Sequence, residues 1–427
     1  LASILPLDRW ARRAEGHGAR SSPAKIRHSS VEIELTMKLD ARSTLPIDGT
    51  TGALAGRVWR PDVDGPSVVA VREDGVFDIS RSFPTMRDLC ETHDPAAALK
   101  NVAGENIGTL DEILTNASPE TRDASKPRLI APIDLQAVKA AGVTFAISTL
   151  ERVIEERARG DLNAAATIRV EVNKLIGGDL ASLKPGSPEA MKLKELLIEK
   201  GWWSQYLEVA IGPDAEIFTK CQPLASVGHG DDAGLNPGST WNNPEPEVVM
   251  IVASRGAIVG ATLGNDVNLR DYEGRSALLL SKAKDNNASC SVGPFIRFFD
   301  QSFSLDDVRQ TTVTLKVEGP EGFTLSGSSS INKISRDPAD LVAQAINRNH
   351  QYPDGFALFL GTMFAPIEDR DAPGKGFTHK YGDVVTIAAP KLGALINRMR
   401  SSADCAPWTF GAGALMRNLA KRGLLSS

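Results

Sequence analysis

Short apolar runs bounded by glycine and proline dominate the C-terminal half of the chain. The runs EVVMIVAS, AIVGATLG, TVTLKVEG and DVVTIAAP have the length of single β-strands, and one stretch, DPADLVAQAINRN, has the longer period of a helix. Nearer the N-terminus, GRVWRP, SVVAVRE and GVFDIS alternate apolar and polar residues between Leu54 and Ile79, which predicts short antiparallel strands. The pattern as a whole predicts an α+β fold that is mainly β.

Helical spacing appears between these strand-rich regions. Short helices are predicted between Met86 and Asn116, and two stronger patterns, TLERVIEERARG and SPEAMKLKELLIEKG, lie within residues 149–200. The stretch SPETRDASKPRLIAP is rich in proline, serine and charge, and it indicates a linker near residue 125. We therefore predict a small β-rich N-terminal domain over residues 37–125 and a catalytic domain over residues 126–427.

Residues 1–36 differ in composition from the rest of the chain. Basic residues lie among serine, alanine and glycine without sustained apolar periodicity, which predicts a disordered extension. The opening LASILPL is too short for the apolar core of a signal peptide. Met37 begins a stretch typical of a protein start, which favours over-extended translation; a transit peptide is the alternative, because the segment is arginine-rich and poor in acids.

The composition is that of a globular protein, with 42% hydrophobic and 24% charged residues and a formal net charge of −5. No apolar run reaches the roughly 20 residues of a membrane span, and no basic stripe indicates nucleic acid. The cysteines form no CxxC pair, and no two histidines have the spacing of a helical zinc site. We expect a cytoplasmic protein that binds a small molecule, and any metal must be bound through oxygen.

Three carboxylates are predicted to meet in the segment PEPEVVMIVASRGAIVGATLGND. Glu245 and Glu247 are two residues apart and share one face of a strand. A hairpin turn at residues 254–256 would return the chain so that Asp266 lies beside them. Convergent carboxylates repel unless a hard cation joins them, which indicates Mg²⁺ first and Mn²⁺ second. On spacing alone, the alternative is that the two glutamates form the solvated face of an edge strand.

The segments around these carboxylates resemble the fumarylacetoacetate hydrolase superfamily. WNNPEPEVVMIVAS, GATLGNDVNLRDYEG and SKAKDNNASCSVGPF follow the order of its blocks yExE, NDVSARD and KsxDtfxPxGP. Further matches lie at GVTFAISTLE, PDAEIFTK, ALFLGTMFAP and HKYGDVVTI, so the resemblance covers most of residues 138–400. It implies a mixed β-sandwich roll for the catalytic domain, and it assigns the divalent metal to Glu245, Glu247 and Asp266.

Two features are similar to the dehydratase branch of the superfamily, which acts on 2-keto-3-deoxypentonates. Only 18 residues separate Glu247 from Asp266, and a long helical insertion follows Glu151. Where hydrolase members carry HAxE with a water-activating histidine, this chain has Ser148 and keeps Glu151. The change disfavours hydrolytic C–C cleavage and makes Glu151 a candidate acid or base. Alternatively, Glu151 sits in the first turn of a helix, where its charge suits the dipole.

The resemblance assigns further residues around the metal. Lys284 aligns with a family lysine whose ammonium group can stabilise an enolate or move a proton; the alternative is an exposed lysine in KAKDNN. Lys220 in FTK resembles a second site lysine, although lysines at strand edges are common. Gly361 and Thr362 match a GT pair that contacts the substrate carboxylate, with an ordinary β-turn as the alternative. We place Ser148 with these substrate-binding residues.

These expectations together predict a lyase. The predicted reaction is the Mg²⁺-dependent dehydration of 4,5-dihydroxy-2-oxopentanoate, the 2-keto-3-deoxy form of xylonate or arabinonate, to 2,5-dioxopentanoate in pentose oxidation. One alternative is an acylpyruvate-type C–C hydrolase or decarboxylase of the same superfamily. Another is a non-catalytic ligand-binding protein with the same fold. The resemblance also suggests a homo-oligomer, either a dimer or a tetramer.

Overall fold

The structure is a computed structural model. It describes residues 35–159, 161–176, 183–199, 201–362, 364, 366 and 368–425. Most of the predicted extension, residues 1–34, therefore lies outside the described residues. The strands are β1 (Ala53–Arg60), β2 (Gly65–Arg72), β3 (Gly75–Asp78), β4 (Glu105–Asn106), β5 (Arg128–Ile130), β6 (Ala137–Gly142), β7 (Glu216–Cys221), β8 (Asp232–Leu235), β9 (Asn242–Asn243), β10 (Pro246–Val252), β11 (Ile258–Asp266), β12 (Asn268–Leu269), β13 (Cys290–Phe298), β14 (Thr312–Glu318), β15 (Thr324–Ser330), β16 (Phe356–Phe359), β17 (Val384–Ala389) and β18 (Gly393–Ser401).

The helices confirm the predicted helical segments. They are α1 (Ala41–Thr44), α2 (Met86–Cys90), α3 (Pro95–Asn101), α4 (Leu110–Thr115), α5 (Ala146–Ala158), α6 (Leu162–Ile176), α7 (Pro188–Glu199), α8 (Gln205–Ile211), α9 (Arg270–Glu273), α10 (Leu280–Lys284), α11 (Leu305–Arg309), α12 (Pro338–Ala345) and α13 (Ala412–Lys421). Helices make up 27% and strands 29% of the residues, which confirms the α+β class. No helix in the described ranges is long and apolar enough to cross a membrane.

Two sheets form the body of the described chain. Eleven strands belong to one sheet, in the order β4-β3-β2-β1-β13-β11-β10-β16-β6-β7 with β5 beside β1, and five form the other, in the order β15-β14-β17-β18-β8. Because β1 pairs with β13 in antiparallel register, the N-terminal strands share the larger sheet with strands of the C-terminal half. The division into domains at residue 125 stays a prediction.

The central strand β10 is buried on both faces. Val248, Met250 and Val252 join an apolar cluster with side chains of the five-stranded sheet, whereas Val249 and Ile251 join a second cluster with α2 and α3. Each such side chain stabilises the fold by about 1.5–3 kcal/mol through burial. A strand covered on both sides has no polar face, which explains why residues 248–253, VVMIVA, are all apolar. The sheets therefore pack as the predicted sandwich.

The helical insertion after β6 has an apolar cluster of its own. Val153 and Ile154 of α5 pack in this cluster with Leu197 of α7 and Leu207 of α8. The helix α6, between the two helices predicted from sequence, packs beside α5. This packing orients α5, so that the opposite side of the helix faces the ends of β10 and β11.

A buried histidine connects the N-terminal segment to the five-stranded sheet. The backbone N–H of Ile396 donates to Nδ1 of His229 at 3.2 Å. The proton of the neutral ring therefore belongs on Nε2, which lies 3.3 Å from Thr44 Oγ1 and can donate to it. Burial lowers the pKa of His229 to about 4.

We expect His229 to make the fold sensitive to acid. Below pH ~6.5 the unfolded chain takes up a proton at this residue, whereas the folded chain does so only near pH 4, so stability is lost as the pH falls through this interval. Between pH 7 and pH 5 the loss should be about 2 kcal/mol. Urea unfolding at both pH values should show a weaker pH dependence for His229→Gln than for the wild type or for the exposed control His93→Gln. Equal pH dependence in all three proteins would contradict this assignment.

Candidate metal centre and active site

The hairpin of β10 and β11 brings three carboxylates together. Glu247 lies on β10 opposite Gly264, and the backbone N–H of Asp266 donates to the carbonyl of Glu245 at 3.0 Å. Gly256 closes the predicted turn with a left-handed φ of +81°. One oxygen from each of Glu245, Glu247 and Asp266 lies within 4.8 Å of the others, and all three residues are buried. The predicted convergence is confirmed, and the alternative of a solvated edge strand is wrong.

The pKa values of Glu247 and Asp266 are shifted in opposite directions. Burial, together with the neighbouring Asp266 and Glu245, raises the pKa of Glu247 well above its usual value. The backbone N–H of Gly361 donates to Glu247 Oε2 at 2.6 Å. Burial also acts to raise the pKa of Asp266, but two lysine ammonium groups outweigh it and lower that pKa to about 2. Without a cation, the cluster therefore favours the neutral form of Glu247.

Lys284 lies between two of the carboxylates. Its Nζ is 2.7 Å from Glu245 Oε2 and 2.9 Å from Asp266 Oδ2, and the residue is 2% exposed. Burial acts to lower its pKa, but the attraction of Asp266 and Glu245 raises it above the usual value. The alternative of an exposed lysine is wrong, and Lys284 is held as an ammonium ion at the centre of the cluster.

Lys220 lies behind Asp266 and is fully buried. Its Nζ is 2.8 Å from Asp266 Oδ1, and it donates to the backbone carbonyls of Val267 at 3.0 Å and Lys284 at 2.7 Å. Two hydrogen bonds and one ion pair therefore hold the ammonium group in place. The geometry suits a residue that orients Asp266, and its predicted catalytic role stays a prediction.

Glu151 is turned away from the carboxylate cluster. Its oxygens lie 2.7 and 2.9 Å from the guanidinium of Arg169 and 3.0 Å from that of Arg270. Burial acts to raise the pKa of Glu151, but these arginines outweigh it and lower the pKa. Helix α5 begins at Ala146 and has no acid in its first turn, so the dipole alternative is wrong. Its role as acid or base stays a prediction.

The predicted substrate-binding residues Ser148, Gly361 and Thr362 lie together beside the carboxylate cluster and form one wall of the site. Ser148 Oγ donates to the carbonyl of Thr362 at 2.8 Å, and Thr362 Oγ1 accepts from the N–H of Phe364 at 3.0 Å. Gly361 has a φ of +90°, and a Cβ atom there would lie 2.1 Å from Thr144 Oγ1, so only glycine fits. The hydroxyl of Ser148 therefore fastens α5 to this wall.

Three charged residues of the site were not singled out from the sequence. Arg152 of α5 lies 2.5 Å from Glu245 Oε1 and 2.9 Å from Glu273 Oε2, so it holds the Glu245 oxygen that faces away from Lys284. Glu273 is the second of these residues, and Glu216 is the third. Burial raises the pKa of Glu216 to about 7, and the negative charge of Glu273 adds to this effect. Side chains alternate along β7, so Glu216 lies on the same face as Lys220. This spacing could have identified Glu216 as a site residue from the sequence.

These groups surround a small cavity with a free volume of about 20 Å³, which is about enough for one water molecule. None of the described residues that line it is a histidine. The lining includes Ser148, Arg152, Glu216, Phe218, Glu245, Glu247, Asp266, Glu273, Lys284, Gly361 and Thr362.

The donor set fits a hard divalent cation. All three candidate ligands are carboxylates. Mg²⁺ and Mn²⁺ prefer such oxygen ligands, whereas softer metals prefer sulfur or nitrogen ligands. Two ligand oxygens about 2.1 Å from one Mg²⁺ ion are at most about 4.2 Å apart, so the observed separation needs only small side-chain adjustments. A cation would also offset the repulsion that raises the pKa of Glu247.

Residues 226–400 match the family model for the C-terminal domain of fumarylacetoacetate (FAA) hydrolase. This segment is similar to the C-terminal domain of FAA hydrolase. The predicted resemblance is thereby confirmed. The matched segment contains the three carboxylates, Lys284 and residues 361–362, whereas Ser148, Arg152 and Glu216 come from the chain that precedes it.

Two curated relatives are similar to this chain in sequence. The 2-dehydro-3-deoxy-D-arabinonate dehydratase of Saccharolobus solfataricus is 34% identical over 188 residues, which are 43% of this chain and 58% of that protein. The chain thus matches somewhat more than half the length of this relative. The probable 2-keto-3-deoxyxylonate dehydratase of Haloferax volcanii is 25% identical over 331 residues, which are 77% of this chain and 94% of that protein.

Solved structures share the fold of the chain. A 2-keto-3-deoxy-D-arabinonate dehydratase in its apo form has a TM-score of 0.58 at 21% identity, covering 82% of this chain and 99% of that one. The structure of a 2-keto-3-deoxy-D-arabinonate dehydratase complexed with magnesium and 2,5-dioxopentanoate has a TM-score of 0.57 at 21% identity, with the same coverage. The sandwich of this chain is therefore a known fold.

Proposed function

We propose that this chain is a Mg²⁺-dependent dehydratase that converts 4,5-dihydroxy-2-oxopentanoate to 2,5-dioxopentanoate. The observation that carries the proposal is the buried triad of Glu245, Glu247 and Asp266 with the Lys284 ammonium between two of its members. Both curated relatives are named as dehydratases of 2-keto-3-deoxypentonates, and one structure of similar fold contains magnesium and 2,5-dioxopentanoate. These names support the reaction class and the substrate class.

The three carboxylates would hold the metal, with Mn²⁺ as the second choice. A bound Mg²⁺ ion would supply Lewis-acid chemistry there, which would acidify the C3–H bond of a 2-keto acid. Lys284 carries a positive charge in this buried site, because its pKa is raised by Asp266 and Glu245 against the effect of burial. Its ammonium group is suited to stabilise the enolate that forms when C3 loses a proton.

Glu216 is the group best suited to move the protons. It lines the cavity, and burial raises its pKa to about 7, so both of its protonation states are populated at neutral pH. The ionised form can take the C3 proton, and the protonated form can then deliver it to the departing C4 hydroxyl. The first products are water and a 5-hydroxy-3-en-2-one with a C3=C4 double bond. Transfer of a proton from C5 to C3 turns this enone into a C4=C5 enol, which tautomerises to the C5 aldehyde. No redox cofactor is needed for this reaction.

Hydrolysis of an acylpyruvate is the alternative reaction, and the site supports it less well. Hydrolysis needs a base that activates water near Ser148. The Ser148 hydroxyl instead donates to the carbonyl oxygens of Phe145 and Thr362, at 3.1 and 2.8 Å. No described residue of the cavity lining supplies a histidine in its place.

A coupled assay tests the proposed reaction. Protein stripped with EDTA receives Mg²⁺ and racemic 2-keto-3-deoxypentonate, and an NADP-linked aldehyde dehydrogenase reports 2,5-dioxopentanoate. Turnover that requires Mg²⁺ supports the dehydratase. No aldehyde, together with Mg²⁺-dependent release of pyruvate from an acylpyruvate, would show a hydrolase instead. Binding of the keto acid without any turnover would indicate a ligand-binding protein.

Two glutamine variants distinguish the candidate proton carriers. We expect Glu216→Gln to lower kcat by about 10²–10⁴-fold with Mg²⁺ affinity nearly unchanged, because it removes a proton carrier and no metal ligand. Glu151→Gln should have a smaller effect on kcat and a larger one on stability, because it breaks contacts with Arg169 and Arg270. Steady-state kinetics and Mg²⁺ titration calorimetry measure both effects. If Glu151→Gln lowered kcat more than Glu216→Gln, the proton-transfer role would belong to Glu151.

A further inference from the structure

Two cysteines meet behind the metal centre. Ser226 Oγ lies 3.5 Å from Cys221 Sγ and 3.6 Å from Cys290 Sγ, so one hydroxyl bridges the two thiols. Cys221 ends β7 and Cys290 begins β13, and these strands are not neighbours in their sheet. Strand pairing therefore does not by itself require the two side chains to meet.

Cys221 has the properties of an attacking cysteine. The neighbouring Cys290 thiol, the Ser226 hydroxyl and the charge of Lys220 outweigh burial and lower the pKa of Cys221. A thiol with a lowered pKa reacts more readily with a peroxide. Cys290, which lies on the other side of the Ser226 hydroxyl, is placed to act as the resolving cysteine.

A small oxidant has a route to this pair. Cys221 and Cys290 are 2% and 1% exposed, so direct contact with solvent is minimal. Ser226, however, lines a surface cavity of about 650 Å³ that is separate from the catalytic cavity. Hydrogen peroxide is small enough to enter this cavity, which brings it to Ser226.

We propose that Cys221 and Cys290 form an oxidation site at which a peroxide generates a disulfide. The Cys221 thiolate sulfur attacks one oxygen of hydrogen peroxide, the O–O bond breaks, and the departing hydroxide takes up a proton to become water. Cys221 is then a sulfenic acid. The Cys290 sulfur attacks this sulfur, the S–O bond breaks, and the hydroxide leaves as water with the Cys290 proton. Two thiols lose two electrons and two hydrogens, and one peroxide yields two waters.

The disulfide would form in direct connection with the metal centre. Lys220, which lies 2.8 Å from Asp266 Oδ1, immediately precedes Cys221 in the chain. Cys290 is the register partner of Asp266 in the pairing of β11 with β13. A disulfide draws the two sulfurs together. It would therefore shift the chain at Lys220, which contacts the Asp266 side chain, and at Cys290, which pairs with the Asp266 backbone. Groups that orient a metal ligand typically change affinity by about 10–100-fold, so we expect oxidised protein to bind Mg²⁺ at least about tenfold more weakly.

Peptide mass spectrometry of the wild-type protein tests the site without any variant. The full chain is treated with hydrogen peroxide, alkylated, and digested with trypsin. The expected result is a cross-link between peptides 221–255 and 285–297, a loss of about 2 Da in the intact mass, and recovery of both thiols with dithiothreitol. Peroxide treatment that leaves both peptides alkylated, or that only adds oxygen irreversibly, would overturn the proposal.

Cysteine variants provide the matched controls. Cys290→Ala and Cys221→Ala should each abolish the cross-link, whereas Cys90→Ala and Cys405→Ala remove buried cysteines elsewhere and should leave it intact. Manganese binding, followed by the electron paramagnetic resonance of free Mn²⁺, should weaken on oxidation in the wild type and in Cys90→Ala, and not in Cys290→Ala. Equal weakening in Cys290→Ala would overturn the link to the metal centre. Neither readout requires turnover, so the outcome is independent of the dehydratase assay.

Discussion

Glu247→Gln should abolish Mg²⁺ binding and turnover while leaving the metal-free protein about as stable as the wild type. Without a cation, the raised pKa keeps the Glu247 carboxyl neutral, and a glutamine amide has nearly the same shape. The amide oxygen can still accept the N–H of Gly361, which lies 2.6 Å from Glu247 Oε2. The free energy of unfolding in EDTA should therefore change by less than about 1 kcal/mol.

The same substitution removes a charged metal ligand, and the loss becomes visible when Mg²⁺ is added. We expect at least about a hundredfold weaker Mg²⁺ binding and at least about a 10³-fold lower kcat, because a neutral amide oxygen binds the ion poorly. Calorimetric titration and urea unfolding with and without Mg²⁺ measure both effects. Mg²⁺ should stabilise the wild type and the exposed control Glu73→Gln, and it should not stabilise Glu247→Gln. A Glu247→Gln protein that binds Mg²⁺ like the wild type would remove this residue from the metal centre.

Lys284→Met should be the most damaging single change in the site for the metal-free protein. Glu245 and Asp266 would lose the ammonium group that lies 2.7 and 2.9 Å away and would remain buried with less compensation. Removing one partner of a buried ion pair costs about 3–5 kcal/mol, so we expect a loss of that size in EDTA. Mg²⁺ should restore part of the stability, because the ion supplies positive charge to the same carboxylates.

The effect of Lys284→Met on turnover should persist when the metal is present. The variant lacks the charge that we assign to enolate stabilisation, and kcat should fall by at least about 10²–10³-fold. Lys282→Met is the matched control, because Lys282 belongs to the same helix, α10, and is exposed. Urea unfolding and steady-state kinetics of both variants check the prediction. If Lys282→Met lost as much stability as Lys284→Met, the effect would belong to the helix and not to the ion pairs.

The sequence by itself determined the hairpin and the metal triad. Side chains two residues apart on a strand share a face, so Glu245 and Glu247 had to point the same way. A glycine turn of matching length then placed Asp266 beside them. Both arguments use only short-range geometry, and for this reason they held. The apolar runs likewise marked the strands, because a strand covered on both faces leaves no polar positions.

Short motifs that resemble the FAA hydrolase superfamily also allowed Lys284, Gly361 and Thr362 to be singled out from the sequence. What the motifs did not specify was the use of each group. Gly361 donates its N–H to Glu247, and Ser148 donates its hydroxyl to a carbonyl oxygen, so both residues act in part by positioning other groups. Such hydrogen bonds depend on where neighbouring elements pack, which a motif does not encode.

Only the tertiary structure decided which charges meet. Arg152 reaches Glu245 across 93 residues of sequence, and Glu151, its neighbour on α5, pairs instead with Arg169 and Arg270. Adjacent residues on a helix point about 100° apart, so the docking of α5 determines which of them enters the site. The neutral state of Glu247 is likewise a consequence of burial, since the repulsion that raises its pKa depends on the low dielectric of the packed interior.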